Sequence, residues 1–244
     1  MRMNKYVILL CIPFLSACLF NPQEKKELVD KNVFDFKHPQ QALLTNNFLL
    51  TGEEEVLGAG SFLIAGKKDT FLCTARHLMG LATGLSREYS VDSFNLTLQY
   101  WKAYPRVCDS VCDTVFAETV VFAKEDEDII LLKTKNKPKG YAVLFPSYDK
   151  LIEDDLLTIL ACEYQHSDCK QQVYNAHVLE YKDGFLTAYT TNFAKTSMEG
   201  FSGSPVLNGQ GKVIGLVRTG TFSGLGMAII IETLESAKNK LEGK

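Results

Sequence analysis

Gly200-Phe201-Ser202-Gly203-Ser204-Pro205 sets a serine among small residues, just ahead of the apolar run Val206-Leu207. Between two glycines a serine can sit on a tight turn with its hydroxyl exposed, which makes Ser202 a candidate nucleophile. Small neighbours also leave backbone N–H groups free to converge on a developing oxyanion, usually the largest single catalytic term in acyl transfer. Glycine and serine are equally the common residues of structural turns, so the hexapeptide needs partners elsewhere in the chain.

A hydroxyl nucleophile needs a base, and the histidines are His38, His77, His166 and His177, all preceding Ser202. That order excludes the nucleophile-elbow hydrolases, whose acid and histidine follow a Gly-x-Ser-x-Gly turn; here Ser204 stands at the last glycine. His77 ends Thr70-Phe71-Leu72-Cys73-Thr74-Ala75-Arg76-His77, which reads as a buried strand finishing in small residues. His38 lies in a polar linker, and His166 and His177 lie among polar hairpin residues. The third member must be a carboxylate that enters the interior to orient the imidazole and stabilise its protonated form. Asp128 closes Glu125-Asp126-Glu127-Asp128 and leads into Ile129-Ile130-Leu131-Leu132. Asp126 shares its strand face and is the alternative orienter, whereas Glu125 and Glu127 read as a solvated loop.

With His, Asp and Ser motifs in that order, the chain resembles the trypsin-like serine proteases. Thr74-Ala75-Arg76-His77 is similar to their Thr-Ala-x-His, Asp128-Ile129-Ile130-Leu131 to their Asp-Ile-Ala-Leu, and Gly200 to Pro205 to their Gly-Asp-Ser-Gly-Gly-Pro. Gly226-Met227-Ala228-Ile229 resembles the Gly-Phe-Ala-Ile of the high-temperature-requirement branch, and Ser204-Pro205-Val206-Leu207-Asn208 resembles bacterial glutamyl endopeptidases. A subtilisin-like alternative rests on Thr196-Ser197-Met198, but Lys195 occupies the expected glycine and no His-Gly-Thr motif is present. The resemblance implies an all-β fold of two packed antiparallel six-stranded barrels. It also implies a catalytic triad of His77, Asp128 and Ser202, with the N–H groups of Gly200 and Ser202 as the oxyanion hole. By motif alignment, the primary specificity pocket would have Thr196 at its base and Gly220 and Gly226 in its walls. No acid lies there and Val217 supplies no histidine, so an uncharged or modestly sized apolar residue is expected before the scissile bond. Phe201 stands where trypsin-like zymogens carry an aspartate. It cannot accept an N-terminal ammonium, so activation is expected to proceed without cleavage within residues 19 to 60.

Short apolar or alternating runs separated by turn residues agree with antiparallel β structure. Strands are expected at Phe48 to Leu50, Ser61 to Ala65, Thr70 to Ala75, Phe94 to Trp101, Val115 to Phe122 and Ile129 to Lys133. Further strands are expected at Leu156 to Cys162, Gln172 to Tyr181, Phe185 to Tyr189, Pro205 to Leu207 and Lys212 to Val217. Leu234, Ala237 and Leu241 recur at helical spacing, which predicts a short C-terminal helix over Glu232 to Leu241.

At the N-terminus, Arg2 and Lys5 precede an apolar stretch from Tyr6 to Leu15, the pattern of a signal peptide. Leu15-Ser16-Ala17-Cys18 resembles the bacterial lipobox, in which the Cys18 thiol would accept the lipid. Residues 1–17 are therefore expected to be a lipoprotein signal peptide, 18–41 a lipidated cysteine and tether, and 42–244 the peptidase domain. Lipid burial of ~0.8 kcal/mol per methylene would hold Cys18 to a bilayer in the bacterial cell envelope, and Leu19 after it favours the outer membrane. That compartment permits disulfides. Cys108 with Cys112 and Cys162 with Cys169 need only small loops, although other pairings of the four are open; Cys73 reads as a buried thiol. A zinc alternative at Cys162, His166 and Cys169 lacks a convincing fourth ligand.

The 244 residues, 46% hydrophobic, suffice for one large β domain, and a net charge of −3 with no basic run excludes nucleic acid as an expected partner. No metal or cofactor is expected, and the expected partner is a protein or peptide substrate. Two departures from the family pattern, Arg76 before the histidine and Arg218 near the triad acid, leave a catalytically inactive binding lipoprotein of the same fold as the alternative. Arg218 in particular is expected to be able to pair with Asp128 and draw it from His77.

Overall fold

The computed structural model describes residues 33–107, 113–135, 139–162, 170–182, 185–190, 198–223 and 226–244. Cys18, Cys108, Cys112, Cys169, His166 and Thr196 lie outside the described residues.

Six strands form the first barrel: β1 (Leu44–Leu50), β2 (Val56–Ala65), β3 (Thr70–Thr74), β4 (Leu98–Tyr104), β5 (Val115–Ala123) and β6 (Ile130–Thr134). They pair antiparallel in the order β1-β4-β5-β6-β3-β2, and β2 returns to β1 to close the ring. A two-residue β7 (Val143–Leu144) adds in parallel along β2. The second barrel comprises β8 (Leu156–Ala161), β9 (Gln172–Lys182), β10 (Phe185–Thr190), β11 (Pro205–Asn208), β12 (Val213–Ser223) and β13 (Gly226–Thr233). It closes in the order β10-β13-β12-β11-β8-β9. Closure removes the unpaired strand edges that an open sheet would expose.

Strand periodicity explains which residues fill each core. Along β9, Tyr174, Ala176 and Val178 are buried while Asn175, His177 and Leu179 between them are exposed, as the two-residue period requires. In β8, β11 and the first half of β12, residues 213–217, both faces are buried. Ile159, Val206 and Val217 fill the second barrel, whereas Leu160, Leu207 and Leu216 join the core of the first. Those outward-facing leucines pack the barrels together, which is why the strands read as unbroken apolar runs. In the first core, Trp101 stacks on Phe48 with ring centroids 4.4 Å apart, and Phe94 lies 5.7 Å from both. Cys73 is buried in the same core, and burial pushes its thiol pKa upward.

The expected strand over Phe94 to Trp101 is corrected at its first half. Helix α1 (Val91–Thr97) precedes β4, with the Ser90 hydroxyl accepting the Ser93 N–H at its N-terminus. Phe94 alone of the helix is buried, and Leu96 is 87% exposed. The cap and one deep aromatic contact therefore override the apolar alternation that reads as strand. The C-terminal helix also starts later than expected, because β13 continues through Glu232 to Thr233. A 3₁₀ turn over Leu234–Ala237 then leads into α2 (Lys238–Leu241).

Strand register brings the candidate residues to one place. β3 and β6 pair with Thr74 opposite Ile130, so the chain leaving β3 toward His77 and the chain entering β6 from Asp128 share one barrel end. Ser202 sits just ahead of β11, which pairs with β12, and Gly203 N–H donates to Val217 C=O at 2.8 Å.

Candidate active site

His77 lies in a 3₁₀ turn, Arg76–Met79, directly after β3. Its Nδ1 is 2.7 Å from Asp128 Oδ2, and its main-chain N–H donates to Asp128 Oδ1, also at 2.7 Å. Both carboxylate oxygens are therefore committed to one residue. A carboxylate only accepts, so the imidazole carries a proton on Nδ1, and in the neutral ring this tautomer leaves the lone pair on Nε2. Asp128 is 7% exposed at its side chain and His77 31%, which leaves the ring edge open to the cleft. Asp126, the alternative orienter, is exposed. His177 Nδ1 lies against Asp154 C=O and His38 against Asp35, so neither approaches the serine through these contacts.

Ser202 and His77 line one cavity of about 400 Å³, together with Asp128, Arg218 and Thr219. The Ser202 hydroxyl donates to Arg218 C=O at 3.3 Å. Gly200 has φ +93°, a left-handed conformation that a side chain would oppose. Among the described residues, the turn uses the Phe201 N–H on Met198 C=O and the Ser204 N–H on Phe201 C=O. The N–H groups of Gly200 and Ser202 take no part in those bonds. Phe201 itself is fully buried, its ring 5.5 Å from that of Tyr174 in the second core.

A bulge in the first barrel meets this turn. The β1–β2 register skips Ala59, which has φ +56°, and such a bulge re-aims the backbone beside it. Gly60 N–H donates to Ser202 C=O at 2.6 Å across the barrel boundary. Thr74 Oγ1 donates to Gly60 C=O at 2.6 Å, and Asn46 Nδ2 donates to the same carbonyl at 3.0 Å. Asn46 Oδ1 accepts Trp101 Nε1–H, also at 3.0 Å, so the nucleophile turn is tied into the aromatic core. Sequence reasoning missed Asn46, because its partners are distant in the chain.

Gly203 fills the tightest point. It has φ +79°, and a Cβ there would stand 2.1 Å from Gly60 O and 2.6 Å from Thr74 Oγ1. Gly203→Ala is expected to cost about 1–2 kcal/mol from the left-handed backbone alone, before the clash moves the turn. Urea unfolding of the variant should show at least that loss; unchanged stability would mean that the barrels separate easily at this contact.

The expectation that Arg218 pairs with Asp128 is corrected. The β12–β13 register skips Arg218 between Val217 and Thr219, and its NH1 lies 3.4 Å from Glu232 Oε2 on β13. Its guanidinium also lies 4.7 Å above the Phe185 ring. Glu232 is 3% exposed and accepts the Asp128 main-chain N–H at 3.1 Å. Burial pushes its carboxyl pKa up, while the Asp128 N–H and Arg218 oppose the shift. Arg76 donates to Glu125 C=O at 3.3 Å. Neither arginine therefore breaks the His77–Asp128 pair.

At the expected specificity pocket, the space beside both glycines is taken by the protein's own side chains. A Cβ on Gly220 would stand 2.6 Å from Met198 Cε, and one on Gly226 would stand 2.4 Å from the Tyr189 hydroxyl. Val217 is buried in the second core.

The trypsin-like peptidase domain family matches residues 58–216 of the chain. Comparison with curated protein sequences found no match. Among solved structures, the thermostable serine protease AL20 from an extremophilic microorganism is similar, with TM-score 0.60 and 10% identity over 84% of this chain and 96% of that one. The Rv3671c protease of M. tuberculosis in its active form is similar with TM-score 0.55 and 14% identity, over 83% of this chain and 80% of that one. Its inactive form gives TM-score 0.51 at 14% identity, over 82% and 87% of the two chains. At these identities the likeness is one of fold.

Proposed function

The chain belongs to the trypsin-like peptidase family, and on that footing we propose that it is a serine endopeptidase, lipid-anchored through Cys18 in the bacterial cell envelope. The observation that carries the catalytic part is the double hydrogen bond from His77 to Asp128, in a cavity that Ser202 also lines. His77 Nε2 takes the proton from Ser202 as its oxygen attacks the peptide carbonyl. Before this, the hydroxyl leaves Arg218 C=O, giving up a long neutral hydrogen bond worth about 1 kcal/mol. Asp128 holds the tautomer and stabilises the imidazolium that forms. The N–H groups of Gly200 and Ser202 receive the oxyanion, where preorganised donors act most strongly. The imidazolium then protonates the leaving amine, and water releases the acyl group by the same route in reverse. Every step uses groups of this chain and water.

The lipid anchor rests on the Leu15-Ser16-Ala17-Cys18 motif behind the signal-like apolar stretch, and that compartment would permit disulfides in the small loops Cys108 to Cys112 and Cys162 to Cys169. Substrates on this reading are proteins or peptides. The test is covalent labelling by a fluorescent fluorophosphonate. The wild-type protein should be labelled at Ser202 and the Ser202→Ala variant should not be; a folded wild-type protein that resists labelling would leave the inactive binding lipoprotein as the better reading.

A further inference from the structure

The triad is split between two barrels, with His77 and Asp128 supplied by the first and Ser202 by the second. Catalysis therefore depends on contacts that fix one barrel against the other at this point. One such contact is Gly60 N–H to Ser202 C=O at 2.6 Å. The other lies on the acid's side. Asp128 sits in the irregular stretch before β6, and both of its carboxylate oxygens are engaged by His77. Its main-chain N–H reaches across to Glu232 Oε2 on β13, and Arg218 NH1 meets that same oxygen.

Resting on the peptidase reading, we propose that Glu232 is a positioning residue, a cross-barrel tie whose carboxylate holds the Asp128 main chain in register with Ser202. For stability alone its place is a poor one. It is 3% exposed, and its neighbours include the carboxylates of Asp128 and Glu127. Buried ionic pairs of this kind are often replaceable by apolar side chains without loss of stability. What a hydrocarbon cannot do is accept the Asp128 N–H. Arg218 supplies the counter-charge, braced on the Phe185 ring, and its own carbonyl accepts the Ser202 hydroxyl. The Arg218–Glu232 pair thus touches both halves of the triad, through Asp128 on one side and Ser202 on the other.

Reach and charge are separable by substitution. Glu232→Gln keeps the reach, since one amide oxygen can accept from both Asp128 and Arg218. Glu232→Asp keeps the charge but withdraws it by a methylene, and Glu232→Leu keeps neither. The full chain and each variant are reacted with a fluorophosphonate, giving the first-order inactivation rate kinact and the binding constant KI, with thermal midpoints measured in parallel. A misplacement of about 1 Å costs on the order of 10²-fold in rate, so kinact should fall by that order in Glu232→Asp and Glu232→Leu. KI should stay within about threefold in both, and Glu232→Gln should keep kinact within about fivefold of wild type. If one of the two slow variants does not fold, the other still reads the effect. A slow Glu232→Gln beside a Glu232→Asp at the wild-type rate would overturn the proposal in favour of a charge effect, and Glu232→Gln as slow as Glu232→Asp would overturn reach as the property that matters. Wild-type kinact in every variant, with only the thermal midpoint lowered, would overturn it in favour of a purely structural role. An unreactive wild-type protein would instead bring down the peptidase reading itself, and this inference with it.

Discussion

Asp128→Asn is expected to lower the rate of fluorophosphonate acylation by about 10⁴-fold while leaving the fold intact. The reason lies in the two bonds that His77 makes to one carboxylate, its main-chain N–H to Oδ1 and its Nδ1 to Oδ2. Asparagine offers one acceptor and one donor in the same shape. The main-chain N–H cannot change its character, so it claims the amide oxygen and leaves the NH₂ facing Nδ1. That atom must then accept, the ring proton moves to Nε2, and Nε2 points a hydrogen at the serine instead of a lone pair. The base is lost without any atom being displaced. Measuring kinact for wild type and variant, with circular dichroism to confirm folding, checks this. A loss of less than tenfold would mean that Asp128 does not set the tautomer.

Phe201→Ala should destabilise the protein by about 3–5 kcal/mol, the usual cost of removing a large aromatic side chain from a packed core. Phe201 is fully buried and packs against Tyr174, although its neighbours in the chain belong to the nucleophile turn. Its ring is therefore the anchor by which the second core holds Gly200 and Ser202 in place. Where trypsin-like zymogens order this turn with an ion pair, this chain places the buried Phe201 ring. Phe201→Asp should be worse than Phe201→Ala, because a carboxylate would enter the core without a partner. Urea denaturation curves of the variants test the point. A loss below about 1 kcal/mol for Phe201→Ala would show that the ring does not anchor the turn, and a labelling rate unaffected in the folded fraction would separate anchoring from stability.

The expectations that held and those that failed differ in the distance over which they act. Thr74 to His77, Asp128 to Leu131 and Gly200 to Pro205 are each consecutive residues, and each lies at or beside the end of a strand. The strands themselves follow from a two-residue period that survives folding because one face meets a core. For that reason the sequence alone determined the all-β class and the order in the chain of His77, Asp128 and Ser202, which the structure brings to one cavity.

Tertiary structure decided the supports. Glu232 meets the Asp128 main chain across 104 residues, and Trp101 meets Asn46 across 55. No local pattern marks either pairing. The register skips at Ala59 and Arg218 depend on how neighbouring strands pair, and they aim Gly60 at the nucleophile turn and Arg218 at Glu232. Helix α1 replaces half of an apparent strand because Phe94 is drawn against Phe48 and Trp101. Met198 and Tyr189 occupy the space beside Gly220 and Gly226, which the glycines alone would leave open. A motif states which side chains are present, but hydrogen-bond partners and filled space depend on which strands close each barrel and how the two barrels pack.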